Sequence, residues 1–245
     1  MTTTQNIYDR PEFFSAYSAL PRSVHGLDGA PEWLTLQAML PVLAGLRVLD
    51  LGCGFGWFCR WAADQGASHV LGVDVSERML ARARAETLAS AIIYQRADLE
   101  NFAPEPAGFD LAYSSLAIHY LMDLDGLLAR VAKALPVGGR LVCSVEHPLM
   151  TAPALQGWSR DEAGRASWPV NGYLDEGPRR TDWLAKGVVK QHRTIATYLD
   201  LLRRNGFGLM QLVEWGPSEE QVLAHPEWSK ERERPTFLLM AAQRL

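Results

Sequence analysis

Between residues 46 and 148, short apolar runs alternate with amphipathic segments, and this alternation limits the possible folds more than any other feature of the sequence. The apolar runs are typical of strands that are buried on both faces of a sheet. The segments between them have helical spacing, and Ser76 is placed to cap one of these helices. Such a β-α-β-α order predicts a parallel, doubly wound sheet. The predicted strands are LRVLDL (46–51), HVLGVDV (69–75), IIYQRAD (92–98), FDLAYSS (109–115) and RLVCSVEH (140–147).

The rest of the chain is expected to complete one α/β domain, 1–245, with a sheet of about seven strands. The last strand is expected to be antiparallel in a mostly parallel sheet. Residues 1–45 predict a cap of short helices, at 11–19 and 31–43, each opened by Pro-Glu. Residues 149–190 break the alternation and are interpreted as a lid inserted after the core, 46–148. Residues 191–245 predict a closing helix and two strands, FGLMQLVEW (207–215) and TFLLMAA (236–242).

The composition argues against several classes of partner. The formal net charge is −4 and the isoelectric point is about 5.9, which gives no basic surface for nucleic acid or an anionic membrane. The first residues resemble no secretory signal, and no apolar run approaches the length of a membrane span. Cys53, Cys59 and Cys143 have neither disulfide nor zinc spacing. We therefore expect a cytoplasmic protein without a bound metal.

The stretch VLDLGCGFGW (48–57) places Gly52, Gly54 and Gly56 directly after the first predicted strand. A glycine-rich turn from a strand into a helix commonly holds a nucleotide-like ligand, because the ligand can approach the bare backbone closely. The dinucleotide fingerprint G-x-G-x-x-G would need a third glycine at position 57, where this chain has Trp57. The glycines alone leave both a dinucleotide and an adenosyl ligand open.

Acidic residues at the ends of the predicted strands help to choose between these ligands. Asp74 ends the second strand, where a carboxylate can accept the two ribose hydroxyls of either ligand. Asp50 lies two residues before Gly52 and would repel a pyrophosphate, whereas it would attract a cation. Asp98, followed by Leu99, can accept a hydrogen bond from an adenine amino group. Together these acids favour S-adenosylmethionine, which carries two positive centres and no phosphate.

With these residues the sequence resembles the class I S-adenosylmethionine-dependent methyltransferases, which have a Rossmann-like fold. It is most similar to the small-molecule type that includes the ubiquinone and menaquinone biosynthesis enzymes. The resemblance rests on five motifs in order and covers about residues 46–147. The motifs are VLDLGCGFG, GVDVSERMLARAR, RADLENF, FDLAYSSLAIHYLMDL and LPVGGRLVCSVEHP.

The resemblance implies a set of cofactor-binding residues. The backbone of Gly52, Cys53 and Gly54 is expected to line the methionine part of the cofactor, next to Asp50. Asp74 is expected to hold the ribose. The remaining predicted contacts are Ser76, Met79, Asp98 and Leu99 around the adenine, Ser114 at the amino-acid end, and Tyr17 and Arg22 from the N-terminal cap.

Methyl transfer needs a nucleophile held in line with the methyl group and, for an O–H, N–H or acidic C–H nucleophile, a base that takes the proton. His119 and His147 follow the fourth and fifth strands, so both are candidate bases at the ligand-binding edge of the sheet. Glu146 can orient either of them, and His192 can reach the same edge. Packing or hydrogen bonding is the alternative reading for each histidine.

The lid carries four large aromatic residues, Trp158, Trp168, Tyr173 and Trp183. Flat apolar walls suit a planar aromatic or heteroaromatic acceptor. We predict that Trp168 and Tyr173, with Glu146 and His192, contact this acceptor, while other lid aromatics pack the lid onto the core. Transfer to oxygen, nitrogen or carbon is left open.

Two other classes of protein fit the sequence less well than a small-molecule methyltransferase. Asp50 and Trp57 argue against an NAD-dependent oxidoreductase. A nucleic-acid methylase would carry an N/D-P-P-aromatic tetrad where this chain has SSLA, at 114–117. A protein methyltransferase and a non-catalytic S-adenosylmethionine-binding protein stay open, as does the choice between a monomer and a homodimer.

Overall fold

The computed structural model describes residues 4–245, which form a central β-sheet with helices on both faces. The strands are β1 (Arg47–Leu51), β2 (His69–Asp74), β3 (Ile92–Arg96), β4 (Leu111–Ser115), β5 (Arg140–Glu146), β6 (Ser159–Arg160), β7 (Ala166–Ser167), β8 (Gly177–Thr181), β9 (Val188–His192), β10 (Phe207–Trp215) and β11 (Phe237–Arg244). The α-helices are α1 (Pro11–Ser18), α2 (Pro21–Val24), α3 (Trp33–Met39), α4 (Trp57–Asp64), α5 (Glu77–Ala85), α6 (Leu124–Ala134), α7 (Pro148–Thr151), α8 (Ile195–Arg204) and α9 (Glu219–Ala224). Short 3₁₀ helices span Ile7–Asp9, Gly26–Gly29, Ile118–Tyr120 and Pro226–Glu233.

The main sheet has seven strands in the order β10-β11-β5-β4-β1-β2-β3. Strands β1 to β5 are parallel to one another, whereas β11 is antiparallel to both β5 and β10. The predicted fold class is therefore confirmed. The strand order reverses between β1 and β4, and in open α/β sheets ligands bind at such a point, beyond the carboxyl ends of the strands.

Alternate residues of β1 pack on opposite faces of the sheet, as expected for a strand covered on both sides. Val48 belongs to a core with residues of α3 and α4, such as Leu36 and Phe58. Leu49 belongs to a second core with residues of α6 and α8, such as Leu127. These two cores fix the strand ends that carry the glycine loop and the candidate bases.

A third, smaller cluster joins the N-terminal segment to the segment after β5. Buried Ile7, Phe13 and Val188 form its centre, and Tyr8 and Trp183 pack against it. Strands β8 and β9 form an antiparallel hairpin, with Trp183 in the turn between them. This contact brings two segments that are distant in sequence over the same edge of the main sheet.

Candidate active site

The loop after β1 has three glycines in the left-handed region, with φ of +81° at Gly52, +53° at Gly54 and +72° at Gly56. A Cβ atom at Gly52 would lie 2.3 Å from the Cβ of Ala117, whereas a Cβ at Gly54 would meet nothing within 4 Å. The backbone N–H groups of Gly52 and Cys53 both donate to the carbonyl of Val73, which fixes the loop to the end of β2. The loop thus presents bare backbone to the open space in front of it.

That space is a cavity of about 290 Å³ at the carboxyl edge of the sheet, between the glycine loop and the β8–β9 hairpin. It is lined by Thr4, Gln5, Tyr8, Tyr17, Arg22, Gly52, Gly54, Asp74, Val75, Met79, Leu99, Ser115, Leu116, Ala117, His119, Tyr120, Leu121, Glu146, Met150, Trp183, Thr236 and Phe237. The glycine loop and the ends of β2 and β4 form one wall. The N-terminal segment, the hairpin turn and the start of β11 form the other.

Asp74 lines the cavity on the same wall as the glycine loop, at the end of β2. Its carboxylate accepts the backbone N–H of Gly54 at 2.9 Å and that of Ser76 at 2.8 Å, and within the described residues it has no cationic partner. Burial raises its pKa to about 6, against the lowering effect of these two hydrogen bonds. A ligand with hydroxyl groups would find an acceptor here that is already held in place.

Asp50 does not line this cavity, although it lies near the end of β1, just before the glycine loop. It lines a second, smaller cavity of about 90 Å³, together with Cys53, Arg22 and Tyr17. Burial raises the pKa of Asp50 to about 7, while the thiol of Cys59, which donates to it at 3.2 Å, acts in the opposite direction. A positive group of a ligand would relieve this buried carboxylate, which agrees with the reason for predicting it.

The two N-terminal predictions lie on the cavity wall. Tyr17 and Arg22 line both the large and the small cavity. The guanidinium of Arg22 donates to both carboxylate oxygens of Glu32, at 3.1 Å, and Glu32 is fully buried. The charge of Arg22 is therefore balanced within the protein.

The predicted adenine contacts divide into two groups. Met79 and Leu99 line the cavity, whereas Ser76 and Asp98 do not. The hydroxyl of Ser76 accepts the N–H of Met79 as the cap of α5 and donates to Asp9. The carboxylate of Asp98 accepts hydrogen bonds from the backbone N–H and the hydroxyl of Thr4. The N-terminal segment thus covers this carboxylate, and its role in binding adenine stays a prediction.

Ser114 does not line the cavity, whereas its neighbour Ser115 does. The hydroxyl of Ser114 is fully buried and donates to the carbonyl of Leu51 at 2.7 Å, between β4 and β1. Ser115 is the residue that lines both cavities. Because side chains alternate along a strand, an error of one residue in the register exchanges the two faces.

Of the two candidate bases, only His119 lies on the cavity wall. It is 2 % exposed, and its Nδ1 atom has no hydrogen-bond partner among the described residues. Burial lowers the pKa of His119 to about 4; the charge of Glu146 acts in the opposite direction but is outweighed. The imidazole is therefore neutral at neutral pH and has a free lone pair, although burial also makes it a weaker base than an exposed histidine.

His147 and His192 do not line the cavity. Both imidazoles instead make hydrogen bonds within the protein. His147 accepts the N–H of Leu149 with Nδ1, as the cap of α7, and its Nε2 contacts Glu214 at 3.0 Å. His192 is fully buried between the hydroxyl of Thr151 and the carbonyl of Tyr173. The structure thus favours the packing alternative for both.

Glu146 lies beside His119 on the wall and forms an ion pair that the sequence did not predict. Its Oε1 atom accepts from Nζ of Lys190 at 2.5 Å, and the Lys190 side chain is only 2 % exposed. Burial would raise the pKa of Glu146, but Lys190 and the other positive groups around it hold it below its ordinary value. The carboxylate is therefore ionised.

The lid aromatics are arranged differently from the prediction. Trp168 donates from Nε1 to the carbonyl of Leu149 and packs on Trp158 and Arg234, away from the cavity. The hydroxyl of Tyr173 accepts the N–H of Ile195 at 3.4 Å. Trp183 is the aromatic residue of this segment that lines the cavity.

Several lining residues were not predicted, chiefly Tyr8, Tyr120, Trp183 and Phe237. These four residues and Tyr17, which contacts Phe55 of the glycine loop at a centroid distance of 5.9 Å, are called the aromatic wall of the cavity. Tyr8 contacts both Tyr17 and Tyr120 edge to face, at centroid distances of 5.3 and 6.2 Å. Aromatic density in the N-terminal segment was the available signal, but it does not show which rings meet.

The residues that line the two cavities fit S-adenosylmethionine. Gly52 and Gly54 allow close approach, and Asp74 can accept ribose hydroxyls. Buried Asp50 suits a positive group and would repel a pyrophosphate. Among the described residues no cluster of His, Cys, Asp and Glu could hold a metal ion, and no helix has the length and apolar character needed to span a membrane. The fold and this site define a methyltransferase that uses S-adenosylmethionine.

Comparison with known proteins agrees with this class. The family described as "Methyltransferase domain" matches residues 48–139. A crystal structure of an S-adenosylmethionine-dependent methyltransferase from Mesorhizobium loti is 56% identical, with a TM-score of 0.87; the match covers 89% of this chain and 100% of that one. This chain belongs to the S-adenosylmethionine-dependent methyltransferases. The predicted family, enzyme class and cofactor are confirmed.

Two further comparisons give the range of the family. A putative S-adenosylmethionine-dependent methyltransferase from Listeria monocytogenes is 40% identical, with a TM-score of 0.81, and the match covers 88% of this chain and 99% of that structure. The trans-aconitate 2-methyltransferase of Deinococcus radiodurans is 34% identical over 149 residues. This match covers 55% of this chain and 56% of that enzyme. The substrate in that enzyme's name is therefore not carried over to this chain.

Proposed function

We propose that this enzyme transfers a methyl group from S-adenosylmethionine to a small, planar aromatic or heteroaromatic acceptor. The observation that carries the proposal is the aromatic wall of Tyr8, Tyr17, Tyr120, Trp183 and Phe237, which lines the same cavity as the glycine loop. Aromatic rings on a cavity wall favour flat apolar ligands through edge and face contacts.

The charges of the cavity argue for an acceptor that is not an anion. The charged residues on its lining are Arg22, Asp74 and Glu146. Arg22 is neutralised by Glu32, and the nearby Lys190 is neutralised by Glu146. Among the described residues, the lining thus offers no unpaired cation to an anionic acceptor, whereas the name of the trans-aconitate enzyme implies an acidic acceptor for that relative.

When bound, S-adenosylmethionine supplies a methyl group activated by its positive sulfur. The chain would hold that ligand through the backbone of Gly52 and Gly54 and the carboxylates of Asp74 and Asp50. His119, neutral and with Nδ1 free, would take the proton that the acceptor loses. The aromatic wall would orient the acceptor and exclude water.

The remaining alternatives are a protein methyltransferase and a non-catalytic S-adenosylmethionine-binding protein. A concave cavity with Tyr8 and Trp183 in its lining favours a small molecule over a protein side chain. From the acidic composition we also infer that the enzyme has no nucleic-acid partner. Action in the cytoplasm, as a monomer or a homodimer, is part of the same proposal.

A turnover screen tests the proposal. Purified protein with S-adenosylmethionine is incubated with panels of heteroaromatics, phenols, carboxylic acids and peptides, and S-adenosylhomocysteine is measured. We expect turnover among heteroaromatics or phenols. Turnover with carboxylic acids or peptides alone would contradict the proposed acceptor, and no turnover with any panel would favour the non-catalytic alternative.

A further inference from the structure

Three residues of the cavity lining each carry a buried side-chain atom that has no hydrogen-bond partner among the described residues. These atoms are Nδ1 of His119, Oε2 of Glu146 and Oγ1 of Thr236. Glu146 and Phe237 are paired in the β5–β11 ladder, so Thr236 lies one residue beyond Glu146 at the same edge. A buried polar atom without a partner costs free energy, and a ligand that supplies the missing hydrogen bonds removes that cost.

The chemistry of these atoms favours a ligand that donates hydrogen bonds. An ionised carboxylate only accepts hydrogen bonds, and a neutral imidazole offers one nitrogen as an acceptor. Glu146 is ionised and His119 is neutral, as shown above. The hydroxyl of Thr236 can adapt to either partner. An acceptor that offered only lone pairs would leave Oε2 of Glu146 unsatisfied.

Lys190 explains why one carboxylate oxygen is left free. Its ammonium contacts Oε1 of Glu146 and lies 4.7 Å from the ring centroid of Trp183. It thereby compensates the burial of the carboxylate and fixes its orientation, while Oε2 stays available. Lys190 is therefore a positioning residue that also supports the aromatic wall.

We infer that Glu146, His119 and Thr236 form a hydrogen-bond-accepting edge that selects heteroaromatic acceptors carrying N–H groups, with Lys190 positioning the carboxylate. This inference rests on the proposed function, since it names the acceptor class of the same site. It adds a requirement that flat shape alone does not impose. Amino-substituted or N–H-bearing heteroaromatics satisfy the edge, whereas shape-matched rings with oxygen and methyl in place of the N–H groups do not.

Binding calorimetry on the full chain, saturated with S-adenosylhomocysteine, tests the inference without relying on turnover. The probes are 2-aminobenzimidazole and 2-methylbenzoxazole, measured at about pH 9, where both are uncharged; they have similar shape and differ in their N–H donors. We expect 2-aminobenzimidazole to bind at least about tenfold more tightly, equivalent to about 1.4 kcal/mol. Glu146→Gln should reduce this preference to about threefold or less, with little change for 2-methylbenzoxazole.

Matched variants separate recognition from folding. Glu146→Gln leaves the charge of Lys190 buried, so the double variant Glu146→Gln/Lys190→Met replaces the whole ion pair by neutral groups of similar size. It should also lose the preference. Lys190→Arg should retain it and Lys190→Met alone should weaken it. Glu105→Gln, on an exposed loop, is the control for the same chemical change away from the cavity.

The inference is overturned if 2-aminobenzimidazole does not bind, if 2-methylbenzoxazole binds as tightly, or if the preference survives in folded Glu146→Gln and in the double variant. Failure of the proposed function is a separate result. It would appear as selective binding of 2-aminobenzimidazole together with no turnover of any heteroaromatic in the screen.

Discussion

The two walls of the cavity are built in different ways. The cofactor wall consists of one glycine loop and the ends of neighbouring parallel strands, which contribute Gly52, Gly54 and Asp74. The acceptor wall consists of side chains from distant segments, such as Tyr8, Trp183 and Phe237. The first wall follows from the sheet topology, whereas the second depends on how the N-terminal segment and the β8–β9 hairpin pack. We therefore expect substitutions on the two walls to separate cofactor binding from acceptor selection.

The largest effect is expected from Gly52→Val on the cofactor wall. The new Cβ would meet Ala117 at 2.3 Å in a backbone with φ of +81°, and the added methyl groups would enter the cavity. Affinity for S-adenosylhomocysteine should fall by more than about 100-fold, measured by calorimetry. Gly45→Val is the matched control, since Gly45 has φ of +79° and nothing within 4 Å of a Cβ. Equal loss in both variants would mean that backbone strain, and not the cavity, is responsible.

His119→Ala tests whether His119, on the cavity lining, is the general base. Removing a general base lowers kcat by about 10²–10⁴-fold, and affinity for S-adenosylhomocysteine should stay unchanged. His147→Gln should leave kcat within about threefold, because His147 caps α7 outside the cavity. If His147→Gln has the larger effect on kcat in a folded protein, His119 is not the base.

Asp74→Ala should weaken S-adenosylhomocysteine binding by about 1.5–3 kcal/mol, the range for a hydrogen bond to a charged group. Binding of the acceptor to the cofactor-saturated protein should be unaffected. Calorimetry at saturating concentrations measures both quantities. An unchanged dissociation constant would remove Asp74 from the cofactor wall.

Binding of the cofactor should depend on pH through the carboxyl groups of Asp50 and Asp74. Burial raises the pKa of Asp50 to about 7 and that of Asp74 to about 6 in the free protein, and the cofactor favours the ionised form of both. Binding at low pH must therefore expel protons, so affinity should fall as the pH drops from 8 to 5. The expected slope is about tenfold per pH unit for each protonated group. Asp50→Asn should flatten the upper part of this curve; an unaltered curve would contradict the assignment.

Trp183→Leu should give the smallest effect and the most selective one. Loss of an aromatic contact of about 0.5–1.5 kcal/mol should raise the acceptor KM by roughly two- to tenfold, while cofactor affinity changes little. Trp158→Leu is the control, because Trp158 packs against Trp168 outside the cavity. Equal effects of both substitutions on KM would show that the hairpin acts through stability alone.

The two walls also differ in how far the sequence predicts them. Strand positions and the roles of Gly52 and Asp74 follow from local patterns, because apolar runs and glycine turns are encoded by neighbouring residues. Trp168 and Tyr173 are predicted because they flank a Pro-Val-Asn-Gly turn, but the sequence does not show that the turn holding Trp183 is the one that meets the cavity. Lys190 was missed for a similar reason: its pairing with Glu146 spans 44 residues. Ser114 is predicted from the resemblance as the end of the fourth strand, and the alternation of side chains along β4 puts Ser115 on the cavity instead.

A crystal structure of the protein with S-adenosylhomocysteine tests the division of the site most directly. We predict that both ribose hydroxyls lie within about 2.6–3.2 Å of the Asp74 carboxylate, with the methionine part along Gly52 and Gly54. The sulfur should face the side of the cavity that holds His119, Glu146 and Trp183. A ligand whose ribose lies away from Asp74, or whose sulfur points away from His119, would contradict the account.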